Sequence, residues 1–138
     1  MSIVVNTLTA ASYRHSVMVD ERHELATDLP IDSGGQGSAP EPHDYFDVAL
    51  ATCKALTVTH YARQNDIPLT GISVEVSHDG SREKEGFYTM TAELTLRGSL
   101  TDEQRAELKR VASHCPLHKL MTQVQISIET RLSEGPFS

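Results

Sequence analysis

The chain is short of the features that would announce a nucleic-acid, membrane or disulfide-stapled protein. Basic residues number 12 against 19 acidic ones, giving a formal net charge of -7. No Lys/Arg cluster exceeds a pair, so the electrostatic footprint of a phosphate-backbone binder is missing. No apolar run approaches the length that spans a bilayer. The opening residues Met1-Ser2-Ile3-Val4-Val5-Asn6 carry neither a basic region nor the apolar stretch of a signal peptide, and the expectation is a cytoplasmic protein. Cysteine is limited to two residues, Cys53 and Cys115. In a reducing compartment a permanent structural bridge between them is not expected, which leaves free core thiols or a working redox pair. At 138 residues and 15.2 kDa the chain fits one domain, residues 1–138, able to bury a core without staples.

What is present is organised in alternating patterns. Ser2 to Ala10 and Tyr13 to Asp20 read as strands, the second with Tyr13, His15, Val17 and Val19 alternating against Arg14, Ser16 and Met18. A third short strand is expected around His23 to Thr27. Asp28 to Pro42 holds three prolines and three glycines and reads as a loop within the domain. From about Asp44 to Gln64 the pattern is helical, with Pro42 suited to the first turn and Asp44 and Asp47 complementing the dipole. This helix has scarcely a polar face. A domain of this size has little other material to cover it, so a second subunit is expected to contribute and the chain to form a homodimer.

Ile72, Val74 and Val76, then Phe87 to Arg97, predict a hairpin joined by a long solvated connection that includes Glu83-Lys84-Glu85. Thr101-Asp102-Glu103-Gln104 is a capping box that opens a second helix running to about His114. Pro116 disfavours a helical Cys115 and starts a short third helix through Met121, so Cys115 is expected at its N-terminus. Val124, Ile126 and Ile128 predict a closing strand. The order βββ-α-ββ-α-α-β is that of an α+β fold.

Reactive chemistry at Cys53 requires a thiolate, which a dry helical interior disfavours, so a cation is a required partner. Lys54 and Arg63 are near in sequence but do not project from the same helical position, and the cation is expected from another element. The plainer reading is two free cysteines acting as small hydrophobes. A metal site is the rival, since Cys115 and His118 have half-site spacing and His60 lies two turns beyond Cys53, but only one ligand pair is tight. His114 and His43 also suggest Cys/His nucleophilic catalysis. Gly34-Gly35-Gln36-Gly37 lacks the lysine of a Walker loop and the spacing of a dinucleotide loop, and reads as a turn. Tyr45, Phe46 and Tyr61 read as core aromatics.

Gly34-Gly35, then Ser38 through Phe46, then Ala49-Leu50-Ala51-Thr52-Cys53, and finally Gly98-Ser99-Leu100 through His114-Cys115-Pro116-Leu117-His118 resemble the OsmC/Ohr family of hydroperoxide peroxidases, in a Pro-His-Asp variant branch. The resemblance implies an intertwined α+β homodimer with active sites at the interface. It implies that Cys53 is the peroxidatic thiolate, that Cys115 resolves its sulfenic acid to a disulfide, and that a dithiol reductant, often lipoyl-based in the family, closes the cycle. No metal or organic cofactor is implied. Arg14 is the match for the activating arginine, with Arg22 in reserve, and His43 with Asp44 would shape the pocket. Where the Ohr branch has a glutamate after the proline, this chain has Pro42-His43. A neutral His43 can accept a hydrogen bond from the arginine but cannot neutralise it. The alternative from another class is a non-catalytic redox sensor or small-molecule-binding protein on the same scaffold; a third is a metal-binding protein using Cys53, Cys115 and His118.

Overall fold

The computed structural model describes residues 2–134. Three short strands come first: β1 (Ile3–Thr7), β2 (His15–Val19) and β3 (His23–Thr27). They form an antiparallel sheet in the order β1-β2-β3, with Val5 opposite Val17 and Val17 opposite Leu25. The β2–β3 connection is a tight turn in which Asp20 and Glu21 both take positive φ, 55° and 59°, and the Arg22 amide donates to the Val19 carbonyl. Such a turn matches the twist of a two-stranded ribbon, and it places Arg22 at the ribbon's tip.

After the glycine loop, α1 (Pro42–Gln64) crosses the molecule. Pro42 occupies its first turn, and Glu41 and Asp44 form a capping box: the Asp44 amide donates to Glu41 Oε1 at 3.1 Å and the Glu41 amide to Asp44 Oδ2 at 3.0 Å. Next come β4 (Leu69–Asp79) and β5 (Thr89–Gly98), which pair with each other in antiparallel register. Here β4 is longer than the alternation suggested, because His78 and Asp79, expected in the connection, remain paired with Met90 and Thr89. The helices α2 (Asp102–Ser113) and α3 (Pro116–Thr122) follow. Thr101 and Gln104 cap α2 reciprocally at 3.0 Å each way, as the sequence predicts.

The core lies where α1 crosses α2 over the β4–β5 hairpin, centred on Val58, Ala62, Leu108 and Ala112. Only one stripe of α1 is buried: Leu50, Lys54, Val58 and Ala62, four residues apart. The remaining positions of α1 are half-buried or exposed, with Leu56 70% exposed.

The expected closing strand is absent. Val124 to Ile128 form no strand, and Ile126 and Ile128 are exposed. A strand exists only against a hydrogen-bonding neighbour, and alternation in the sequence supplies the pattern without the partner. The observed order is βββ-α-ββ-α-α, an α+β arrangement. Among the described residues no helix is long and apolar enough to cross a membrane.

Candidate functional site

Cys53 lies at mid-length in α1, and Cys115 is the residue on which α3 starts, with Pro116 at the first helical position. Their elements meet. The Leu117 backbone amide donates to Cys53 Sγ at 3.5 Å, so the half-buried thiol of α1 sits on the turn that carries Cys115. The other polar neighbour of this sulfur is Thr57 Oγ1, at 3.8 Å one turn along α1. Cys115 is completely buried, and its thiol caps no amide of α3.

Beside the thiols lies a buried cation that the periodicity argument passed over. Lys54 is 4% exposed; its ammonium donates to the Ala112 carbonyl at 2.7 Å and to His118 Nδ1 at 3.2 Å. The Cys115 amide donates to the same Ala112 carbonyl at 3.4 Å. The carbonyls ending α2 have no intrahelical donors, and a cation there also suits the negative end of the helix. An ammonium can only donate, so Nδ1 of His118 is the accepting nitrogen. Burial first, then the charge of Lys54 and that of His114, hold the His118 pKa below its usual value, which keeps the ring neutral for this role. The signal was available: Lys54 falls in the four-residue stripe with Leu50, Val58 and Ala62. Among the described residues no three His, Cys, Asp or Glu side chains converge on one point, so the structure does not bring Cys53, Cys115 and His118 together as a ligand set.

His43 and Asp44 belong to a different place. At 1.5 Å per residue they stand about 15 Å from Cys53 along α1, so one chain does not bring them to its own thiol. Asp44 is engaged in the capping box. His43 bridges two carboxylates, Glu41 Oε2 at 3.1 Å and Glu83 Oε1 at 2.8 Å, and these hydrogen bonds, Glu41 first, raise its pKa above the ordinary histidine value. Glu83, expected in a merely solvated turn, is thereby a partner. Pro42, His43, Phe46, Glu83 and Tyr88 line a hollow of about 370 Å³. Tyr88 belongs to a network that alternation in the sequence does not show: it donates to Asp47 Oδ1 at 2.9 Å, His78 is hydrogen-bonded to Asp47 Oδ2, and the rings of His78 and Tyr88 stack at 5.1 Å. Burial first, then the Asp47 bond, push the Tyr88 pKa well above its ordinary value.

Arg14 leaves β2's approach to hold the glycine loop. Its Nη1 donates to the carbonyl and to Oγ of Ser38, both at 2.9 Å. Ser38 Oγ in turn donates to Asp28 Oδ2 at 2.6 Å, and Asp28 also takes the amides of Ser38, Gln36 and Leu29. These bonds, the Ser38 hydroxyl first, hold the buried Asp28 carboxyl below its ordinary pKa. The loop packs closely: a Cβ on Gly35 would lie 2.1 Å from the Leu29 carbonyl oxygen. The glycine run is thus a tight turn, as its spacing indicates. The bonded partners of Cys53 do not include Arg14 or Arg22.

These features define an α+β protein in which the thiol of a helix-borne cysteine accepts from the first turn of a short helix that starts at a second cysteine. The chain belongs to the OsmC-like protein family, whose model matches residues 35–131. Solved structures agree on the fold. A Psychrobacter arcticus protein named for an osmotic-stress-induced and detoxification response superposes with TM-score 0.73 at 23% identity, over 89% of each chain. A Legionella pneumophila organic hydroperoxide resistance protein gives TM-score 0.65 at 20% identity, over 89% of this chain and 90% of that one. A Vibrio cholerae protein, named as an organic hydroperoxide resistance protein with captopril bound in one of its active sites, gives 0.56 at 25% identity, over 87% and 85%. No match was found among curated proteins.

Proposed function

We propose that the chain is a thiol-dependent peroxidase that reduces organic hydroperoxides through a Cys53/Cys115 cycle, as one OsmC-like domain of the Pro-His-Asp variant branch working in the cytoplasm as a homodimer. The observation that carries this reading is the Leu117 amide on Cys53 Sγ, which seats one thiol on the turn bearing the other. The hydroperoxide-resistance names of similar structures support the substrate class.

In this reading the Cys53 thiolate attacks the distal oxygen of the hydroperoxide. The O–O bond breaks, the leaving alkoxide takes a proton to become the alcohol, and Cys53 becomes a sulfenic acid. The Cys115 sulfur then attacks Cys53 Sγ, water leaves, and a disulfide forms. A dithiol reductant, lipoyl-type in the family resemblance, returns both thiols by exchange and is itself oxidised to a disulfide. Arg14, His43 and Asp44 are proposed to complete the pocket from a second chain.

Two observations support that second chain. The protomer exposes 10650 Å², whereas a compact monomer of this mass exposes about 7,100 Å². Large apolar side chains stand exposed on α1, at Phe46, Val48 and Leu56, and after α3, at Val124, Ile126 and Ile128, as residues buried by a partner would. A redox sensor or ligand-binding protein is the second reading, favoured by one contact: Arg14 Nη1 donates to Ser38 and not to Cys53.

The test adds one equivalent of cumene hydroperoxide to reduced protein, follows thiol loss, and locates the bridge by non-reducing mass spectrometry. Rapid loss of both thiols with a Cys53–Cys115 link supports the peroxidase. Thiols that survive for minutes reject it in favour of the second reading.

A further inference from the structure

A cleft outside the cysteine turn carries a charge pattern that the thiol chemistry does not use. It opens between α1, β5 and α2, has a volume of about 400 Å³, and has Lys54, Arg105 and Lys109 in its lining. Leu94 and Leu96 of β5 supply an apolar wall, and Glu93 is the one acidic residue in the lining. Arg105 and Lys109 stand four residues apart on α2 and so share a face, an arrangement in which like charges repel. In a chain of net charge -7, three cations gathered in one cleft run against the composition.

None of the three is neutralised by a carboxylate among the described ion pairs. For Lys54 this matters most. Its two acceptors, the Ala112 carbonyl and His118 Nδ1, satisfy donors but leave the charge uncompensated, and a buried unpaired charge is costly. These two bonds account for two of its three N–H donors. The volume lies in the range of small-molecule sites, and it is more than a bare inorganic anion fills.

We propose that this cleft binds a small amphipathic carboxylate, its head between Lys54, Arg105 and Lys109 and its aliphatic part against Leu94 and Leu96. The assignment stands apart from the peroxidase reading, since no step of it involves Cys53 or Cys115. Lys54 nevertheless ties the cleft to His118, so occupancy is expected to be visible at that imidazole.

The experiment is calorimetric titration of the full chain with octanoate and, separately, with inorganic phosphate, for wild type and for Arg105→Ala/Lys109→Ala. Both replaced residues are exposed and alanine favours helix, so the double variant keeps the fold, and circular dichroism checks this. The expected result is saturable octanoate binding that weakens about tenfold or more in the double variant, with a ligand-dependent shift of the His118 ring signals by NMR. Absence of saturable binding, or equal affinity in wild type and double variant, overturns the proposal. Phosphate binding as tightly as octanoate overturns the apolar half of it.

Discussion

The Lys54 ammonium lies 3.2 Å from Nδ1 of His118, four residues from the end of a stripe that otherwise carries Leu50, Val58 and Ala62. A cation in that stripe joins the middle of α1 to the end of α2 and to the turn after Cys115. The contact has energetic consequences because every group in it is wholly or partly withdrawn from water.

Lys54→Ala would leave a cavity, an unpaired Ala112 carbonyl and an His118 nitrogen without its donor, so a loss of about 2–4 kcal/mol is expected. Lys54→Met fills the space and removes the charge, and should cost less than Lys54→Ala. Urea unfolding ranks the two. In Lys54→Met the His118 pKa should rise, because one cause of its depression is gone while burial remains. An unchanged His118 titration by NMR would show that the ammonium does not reach the ring in solution.

The cysteine pair makes the sharpest demand on activity. Cys53→Ser should abolish hydroperoxide consumption. Cys115→Ser should permit a single turnover and accumulate a sulfenic acid at Cys53 that dimedone captures. Equal consumption by wild type and Cys53→Ser would remove the peroxidase reading altogether.

His43 should make stability depend on pH. Its folded pKa is raised by Glu41 and Glu83, so the stabilisation is fully present below the unfolded value of 6.5 and is lost as pH rises through the folded value. Wild type should therefore lose its thermal advantage over His43→Asn as pH is raised from below 6.5. Melting temperatures of the two proteins across that interval check the sign; a gap that widened with pH would contradict it.

The glycine loop should be intolerant of small changes. Gly35→Ala drives a methyl into the Leu29 carbonyl oxygen, and the loop must open or the chain unfold earlier. Asp28→Asn removes acceptors from the same loop. The lowered carboxyl pKa means that the Asp28 contribution is present above 3.8 and lost as pH falls through the folded value, so the variant's deficit should shrink in acid. Thermal melts at neutral and acid pH measure both effects, and an unaltered melting temperature in Gly35→Ala would contradict the close packing of Gly35 on the Leu29 carbonyl.

Much of the architecture was legible along the chain because its causes are local. Thr101 and Gln104 are three residues apart and need no distant partner to cap α2. Pro116 dictates the break at Cys115 by excluding the helical conformation of the residue before it. Alternation marked β2, β4 and β5, whose partners follow closely in sequence. The resemblance to the OsmC/Ohr family rested on motifs spread in order along the chain, and the family match over residues 35–131 agrees with it.

Tertiary structure decided what depends on a partner remote in sequence. Alternation at Val124, Ile126 and Ile128 specified a face but not a neighbour, and within one chain no strand forms there. Asp44 read as a dipole-complementing charge and is the second half of a capping box, while Asp47 is held by His78 and Tyr88 from the far hairpin. Arg14 was matched to Cys53 by order alone; the folded chain gives it to Ser38. Sequence sets Lys54 aside as a cation that does not project with Cys53, and only the crossing of α1 over α2 shows it buried on the Ala112 carbonyl. Short-range sterics and hydrogen bonds decide where elements begin and end. Which charged groups lose their water is decided by what the fold lays over them.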